Sequence, residues 1–267
     1  VLTGLVAIAT LAGAVTIALV LALGGQALVH RRFAGVDFMR HNEVGGIMLA
    51  VVGTLYAVVL GFLTVVSWEH VADARREVVS EAAAATDAWH SAAGLPAAQR
   101  MRIRQDIMRY AELMVNGEWV AMDRGGFNGG GDIIVMDAIG TAATYAPANA
   151  MESNAQAATL GQLSTLHDTR QIRLAENEAG LSWFEWLILG IGAACVICFC
   201  WLFGLANRRV HLLMTAAVTI VITCMLVLLF ELQYPFRGAL RIGPDSWVGV
   251  IDHINMMRSH PLMNMRM

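Results

Sequence analysis

The stretch GGIMLAVVGTLYAVVLGFLTVVSW, Gly45–Trp68, continues without a proline or glycine into EHVADARREVVSEAAAATDAWHSAA, Glu69–Ala93. The first half is 24 uncharged residues, more than the ~20 that a helix needs to cross a hydrocarbon core. The second half changes character without changing period. Val71, Ala74, Val78, Ala82, Ala85, Trp89 and Ala92 recur every three or four residues, one apolar stripe on a helix. Asp73, Arg75, Arg76, Glu77 and Glu81 sit mainly off that stripe. The spacing predicts one helix from Gly45 to Ala93, about 70 Å long at ~1.5 Å per residue. It would cross a bilayer and project well past it.

Three other segments have the length and hydropathy of a span. They are Leu2–Val29, about Trp183–Leu205 and about His211–Gln233. The first is too long for a signal-peptide core, and Arg31 and Arg32 follow it rather than precede it, so it reads as a retained span. Composition agrees. Of 267 residues 57% are hydrophobic and only 15% charged, with a mean hydropathy of +0.58. A soluble domain runs nearer ~25% charged, so the composition does not suit an ordinary water-soluble enzyme. The net charge of −3, with 18 arginines and no lysine, does not suit nucleic acid. The expected fold is an all-α integral membrane protein. It has four transmembrane helices and a helical-hairpin domain inserted between the second and third. The expected divisions are a first hairpin (1–68), an extramembrane domain (69–182), a second hairpin (183–233) and a Met-rich tail (234–267).

Orientation follows from the arginines. One connection, 30–44, carries Arg31, Arg32 and Arg40 against Asp37 and Glu43; the other carries Arg208 and Arg209 with no acid. Four spans put both connections on one side. Residues 69–182 hold 9 arginines against 15 carboxylates, a balance of −6. The positive-inside rule places the connections in the cytoplasm of a cell (inner) membrane, with 69–182 and both termini outside.

Within 69–182 the pattern predicts further helices. One starts at Leu95-Pro96 with a stripe of Ile103, Ile107, Tyr110 and Met114, extended by Trp119. A shorter one covers about 132–145. A last one, about 150–179, carries Leu160, Leu163, Leu166 (or His167), Arg170 and Leu174 on one face. The glycine-rich residues 123–131 lack the Lys-Ser/Thr and the preceding strand of a phosphate-binding loop.

No catalytic constellation appears: there is no HExxH, no GxSxG, and the eight histidines are scattered. No enzyme activity and no cofactor are expected. Cys195, Cys198, Cys200 and Cys224 lie in apolar runs and read as packing residues. The informative side chains sit on and around the spans. Leu55, Val59, Phe62 and Val66 share one face of the second span and are candidate pore-lining residues, an apolar constriction that gates by dewetting; equally, that face could meet lipid. Gly46, Ala50, Gly53, Ala57 and Gly61 form a small-residue face that lets helices approach closely. Glu69, Glu185 and Glu231 fall at span ends on one membrane face. They read either as a charged collar favouring cations or as interfacial carboxylates reaching water. In the tail, His253, Met256, Met257, His260 and Met263 are soft donors suited to copper(I), or else part of an amphipathic, partner-docking helix. The expected partners are the lipid bilayer, inorganic ions, and either further copies of the chain or a larger membrane complex.

Leu55–Phe62 followed by Trp68-Glu69 resembles the bestrophin-like domain family of bacterial and plant membrane proteins. So do Glu81-Ala82, Tyr110, Glu118-Trp119, the pair Arg170 and Arg173, and Tyr234-Pro235-Phe236-Arg237-Gly238 ahead of Gly243-Pro244. The resemblance runs over about 40–247. It implies four membrane helices with a helical insert, and similarity to bestrophins, pentameric anion channels whose second span lines the pore. It points to Val59, Phe62 and Val66 as neck residues. This chain departs from bestrophins in lacking their regularly spaced Ile and Phe neck, in placing its helical region outside by arginine count, and in a Glu69 collar that would favour cations.

Overall fold

The computed structural model describes residues 2–205 and 207–259. Nine α-helices, and no strand, are found among the described residues. Four are long and apolar enough to cross a membrane: α1 (Leu2–Arg32), α2 (Asn42–Ser91), α7 (Trp183–Trp201) and α8 (Arg208–Leu232). Between α2 and α7 lie α3 (Ala97–Leu113), a π turn (Met114–Glu118), α4 (Trp119–Asp123), α5 (Gly130–Ala143) and α6 (Ala150–Glu178). The last helix is α9 (Asp245–Ser259).

The chain divides into two compact units, and the division falls inside α2, between Glu69 and His70. The first unit comprises 1–69 and 180–233, the second 70–179 and 234–267.

In the first unit α1, α7 and α8 pack together with the first part of α2. Helix ends are satisfied locally. Ser182 and Glu185 form a capping box on α7: Ser182 N donates to Glu185 Oε2 at 2.7 Å and Glu185 N donates to Ser182 Oγ at 3.3 Å. Asn207 caps α8, its Oδ1 accepting from Arg209 N at 3.0 Å. The far end of α7 is closed by two histidines. His30 Nε2 lies 3.1 Å from Trp201 O, and His211 Nε2 2.9 Å from Cys200 O. A carbonyl only accepts, so in each ring Nε2 is the protonated nitrogen. Tyr56, Leu60 and Leu63 of α2 pack against Leu189, Leu226 and Leu229 of α7 and α8. The Tyr56 ring occupies the place where a side chain on Gly192 would stand, so that position of α7 tolerates only glycine without rearrangement.

The second unit has the larger core. The α2 stripe is buried as its spacing predicts, from Ala74 through Ala92, with Val71 half-buried beside it. Ile103, Ile107, Tyr110 and Met114 meet it from α3 and the π turn, and Leu163 and Leu166 from α6. Burying an Ile or Leu of this kind stabilises by roughly 1.5–3 kcal/mol. α9 contributes Trp247, Val250 and Ile254, spaced three and four apart and all buried in the same core. Asn149 caps α6, its Oδ1 accepting from Glu152 N at 3.0 Å.

Candidate functional site

Successive residues of a helix are turned by about 100°, so Leu55, Val59, Phe62 and Val66 fall within a strip about 60° wide on α2. All four are exposed: Leu55 64%, Val59 43%, Phe62 67% and Val66 43%. None enters the packing of the first unit, which uses Leu49, Val52, Tyr56, Leu60 and Leu63 of the same helix. The strip is therefore an unpaired apolar face along the span.

The small residues behave in two ways. Gly46 approaches Phe203, whose ring carbon lies 4.0 Å from where its Cβ would be. Gly53, Ala57 and Gly61 line an apolar cavity of about 650 Å³ together with Val196, Ile222 and Met225. A Cβ at Gly53 or Gly61 would meet no atom within 4 Å. Ala50 is exposed. Of the three carboxylates, Glu69 is exposed and Glu231 half-buried. Glu185 is held in the α7 capping box, a role that the Ser182-x-x-Glu185 spacing itself signals.

The residues that carry the family resemblance converge in the core of the second unit. Arg173 and Glu81 are both fully buried, and Arg173 grips Glu81 with two nitrogens, Nε at 2.5 Å and Nη2 at 3.1 Å. The Tyr110 hydroxyl donates to the same carboxylate at 2.5 Å. Arg173 also reaches Glu118 at 3.4 Å and stacks on the Trp119 ring, 4.9 Å from its centre. Arg170 closes the set, with Nη2 at 3.0 Å and 3.2 Å from the two Glu118 oxygens and Nη1 3.2 Å from Asp132. The π turn ends at Glu118 and leads directly into Trp119. Gly131 is required beside Arg170, because a Cβ there would stand 2.8 Å from its Nε. Burial and then Glu81 push the Tyr110 hydroxyl well above its ordinary range. Burial alone would lower the affinity of Arg173 for its proton; Glu81 more than reverses that, and the guanidinium stays charged. Two arginines meet two buried glutamates and the half-buried Asp132, so a charge-paired cluster joins α2, α3, the π turn, α5 and α6, with Arg170 Nε buried and left without a partner. Sequence reading set Glu81 off the buried stripe and gave Arg173 no partner. Both are instead at its centre.

Of the soft-donor set, His253 faces His90, their Nε2 atoms 3.0 Å apart. Met256 is exposed and Met257 packs on the core. His260 and Met263 lie outside the described residues. Among the described residues no group of three or more His, Cys, Asp or Glu side chains is arranged to hold a metal ion.

A family model described as the Bestrophin-like domain matches residues 16–247. Solved structures share the fold. A point mutant of a bacterial bestrophin homologue from Klebsiella pneumoniae superposes with a TM-score of 0.68 at 13% identity, over 92% of this chain and 99% of that one. A structure described only as a mutant membrane protein gives 0.69 at 12% identity over 94% and 99%. No curated protein matches.

Proposed function

Because the chain belongs to the bestrophin-like domain family, we propose that it is an oligomeric ion-conducting channel in which α2 lines the conduction path. The observation that carries this reading is the exposed apolar strip of Leu55, Val59, Phe62 and Val66 on a 50-residue helix. Several copies arranged about an axis would turn the strip into a hydrophobic constriction. Such a constriction passes ions only when wetted. No covalent chemistry is involved. Glu69, at the end of the apolar run, would repeat as a ring of carboxylates at the mouth, with Glu231 and Glu185 further out. A ring of carboxylates favours cations. The helices between the second and third spans form the extramembrane vestibule in this reading. By the arginine balance it faces outward from an inner membrane, as do both termini.

Planar bilayers holding the purified protein should show single-channel currents, and Phe62→Ala should change their amplitude or open probability by removing the largest side chain of the strip. Silence of the parent across voltage, ion type and pH would overturn the reading. A second reading is a non-conducting accessory subunit of a membrane complex, favoured by the open cavity along Gly53, Ala57 and Gly61. A purified particle with stoichiometric foreign subunits and no self-symmetry would select it.

A further inference from the structure

We infer that a pocket between the last turn of α1 and the first turn of α8 binds a phosphate group, presented by an anionic lipid. The pocket holds about 220 Å³ and is lined by Gln26, Arg31, Arg208, His211, Leu205 and Leu212, with His30 beside them. No carboxylate lines it. Arg31 and Arg208 come from different helices, and neither pairs with an acid among the described residues. Gln26 is only 3% exposed, and its Oε1 is buried with no hydrogen-bond partner. A buried amide left unpaired is costly, and turning it by 180° presents its NH₂ instead. A phosphate takes hydrogen bonds from both guanidinium groups and from that amide, which satisfies the buried group and neutralises the paired charge.

The two histidines hold the site's shape. His30 and His211 lie 5.3 Å apart, ring centre to ring centre, and each has Nε2 committed to a carbonyl of α7. Size selects a phosphate: at ~30 Å³ per water the pocket takes one tetrahedral anion and a few waters, not a whole lipid. The chains of an anionic lipid would then run along the exposed faces that carry Leu28 on α1 and Leu213 on α8. Basic pockets between spans are the recognised geometry for acidic headgroups. The site is independent of whether the protein conducts, and it holds for either orientation in the membrane.

Delipidated protein in detergent, titrated separately with phosphatidylglycerol, diacylglycerol of the same chains and inorganic phosphate, tests this by native mass spectrometry. The parent should retain phosphatidylglycerol at least about tenfold better than diacylglycerol. Arg31→Gln with Arg208→Gln should lose about thirtyfold, the scale of two basic contacts to an acidic headgroup. Gln26→Leu should lose a smaller factor. Both arginines are at the protein surface, so the double variant should unfold at the parent's temperature when no lipid is present. Saturation by inorganic phosphate with no preference for phosphatidylglycerol would keep the anion site and assign its ligand to solution. Unchanged phosphatidylglycerol binding in both variants, or equal binding of diacylglycerol by the parent together with no binding of inorganic phosphate, would overturn the proposal.

Discussion

With no exposed surface of its own, the Arg173 guanidinium depends on Glu81 and Glu118 for compensation of its charge. Removing one partner of such a pair leaves an ion buried and unpaired, which costs roughly 3–5 kcal/mol. Glu81→Ala should therefore lower the thermal unfolding midpoint sharply. Glu81→Leu combined with Arg173→Leu should recover much of that loss, because replacing both partners by apolar groups removes the stranded charge. If the single and double variants unfold alike, the cluster is not a coupled unit. A second residue tests burial through pH. Asp106 is nearly covered, one of its oxygens has no partner, and Arg109 lies 3.5 Å from the other. Burial raises its proton affinity, Arg109 lowers it, and burial prevails. The folded chain thus keeps this proton to higher pH than the unfolded one, and the group opposes folding as pH rises past about 4. Asp106→Asn should gain on the parent between pH 4 and pH 7 and match it at the acid end, read from unfolding midpoints across that range. Neither residue was legible as a core group. A helical charge is ordinarily a solvated one, and the partner of Arg173 lies 92 positions away along the chain, where no local period reaches.

At the scale of the element, hydrophobic run length and the three-to-four period placed α1, α2, α7 and α8 to within a few residues, because each helix carries its own signal in its own sequence. The stripe from Ala74 to Trp89 on α2, continued by Ala92 just past its end, was legible for the same reason. The role of α9 was not, although Trp247, Val250 and Ile254 have core spacing. Its methionines and His253 suggest an amphipathic, partner-docking helix or a soft-metal site, and only the assembled core shows which face is covered. Glycines divide in the same way. Gly53 and Gly192 look equivalent in the sequence, yet one faces open space and the other lies against the Tyr56 ring. Gly53→Ala should be neutral or stabilise α2 by up to ~1 kcal/mol through helix propensity. Gly192→Ala must displace an aromatic ring and should cost about 1–3 kcal/mol. Unfolding of the two variants in the same detergent checks the contrast, and equal midpoints would contradict the packing of α2 on α7.

Taken as a whole molecule, the chain keeps its most apolar helices uncovered. The most apolar window of α1 is 6% buried, that of α2 is 11%, and those of α7 and α8 are 22% each. A helix apolar on all sides is stable in water only when neighbours enclose it, and here they do not, so lipid must supply the solvent. The protein should stay with the membrane fraction in alkaline carbonate and come out only with detergent. Orientation is a separate question, decided by charge on the connections rather than by hydropathy. Arg31, Arg32, Arg208 and Arg209 all belong to the connecting segments, and the segment 69–182 is net acidic. Ala98→Cys, exposed in that acidic segment, should react with a membrane-impermeant maleimide on intact cells. Ala34→Cys, exposed in the first connection, should react only after permeabilisation. The four native cysteines lie within the spans and add little background, since a thiol inside the hydrocarbon layer is out of reach of a membrane-impermeant reagent. The reverse labelling pattern would mean that long-segment translocation had overridden the arginine bias. It would put residues 69–182 in the cytosol.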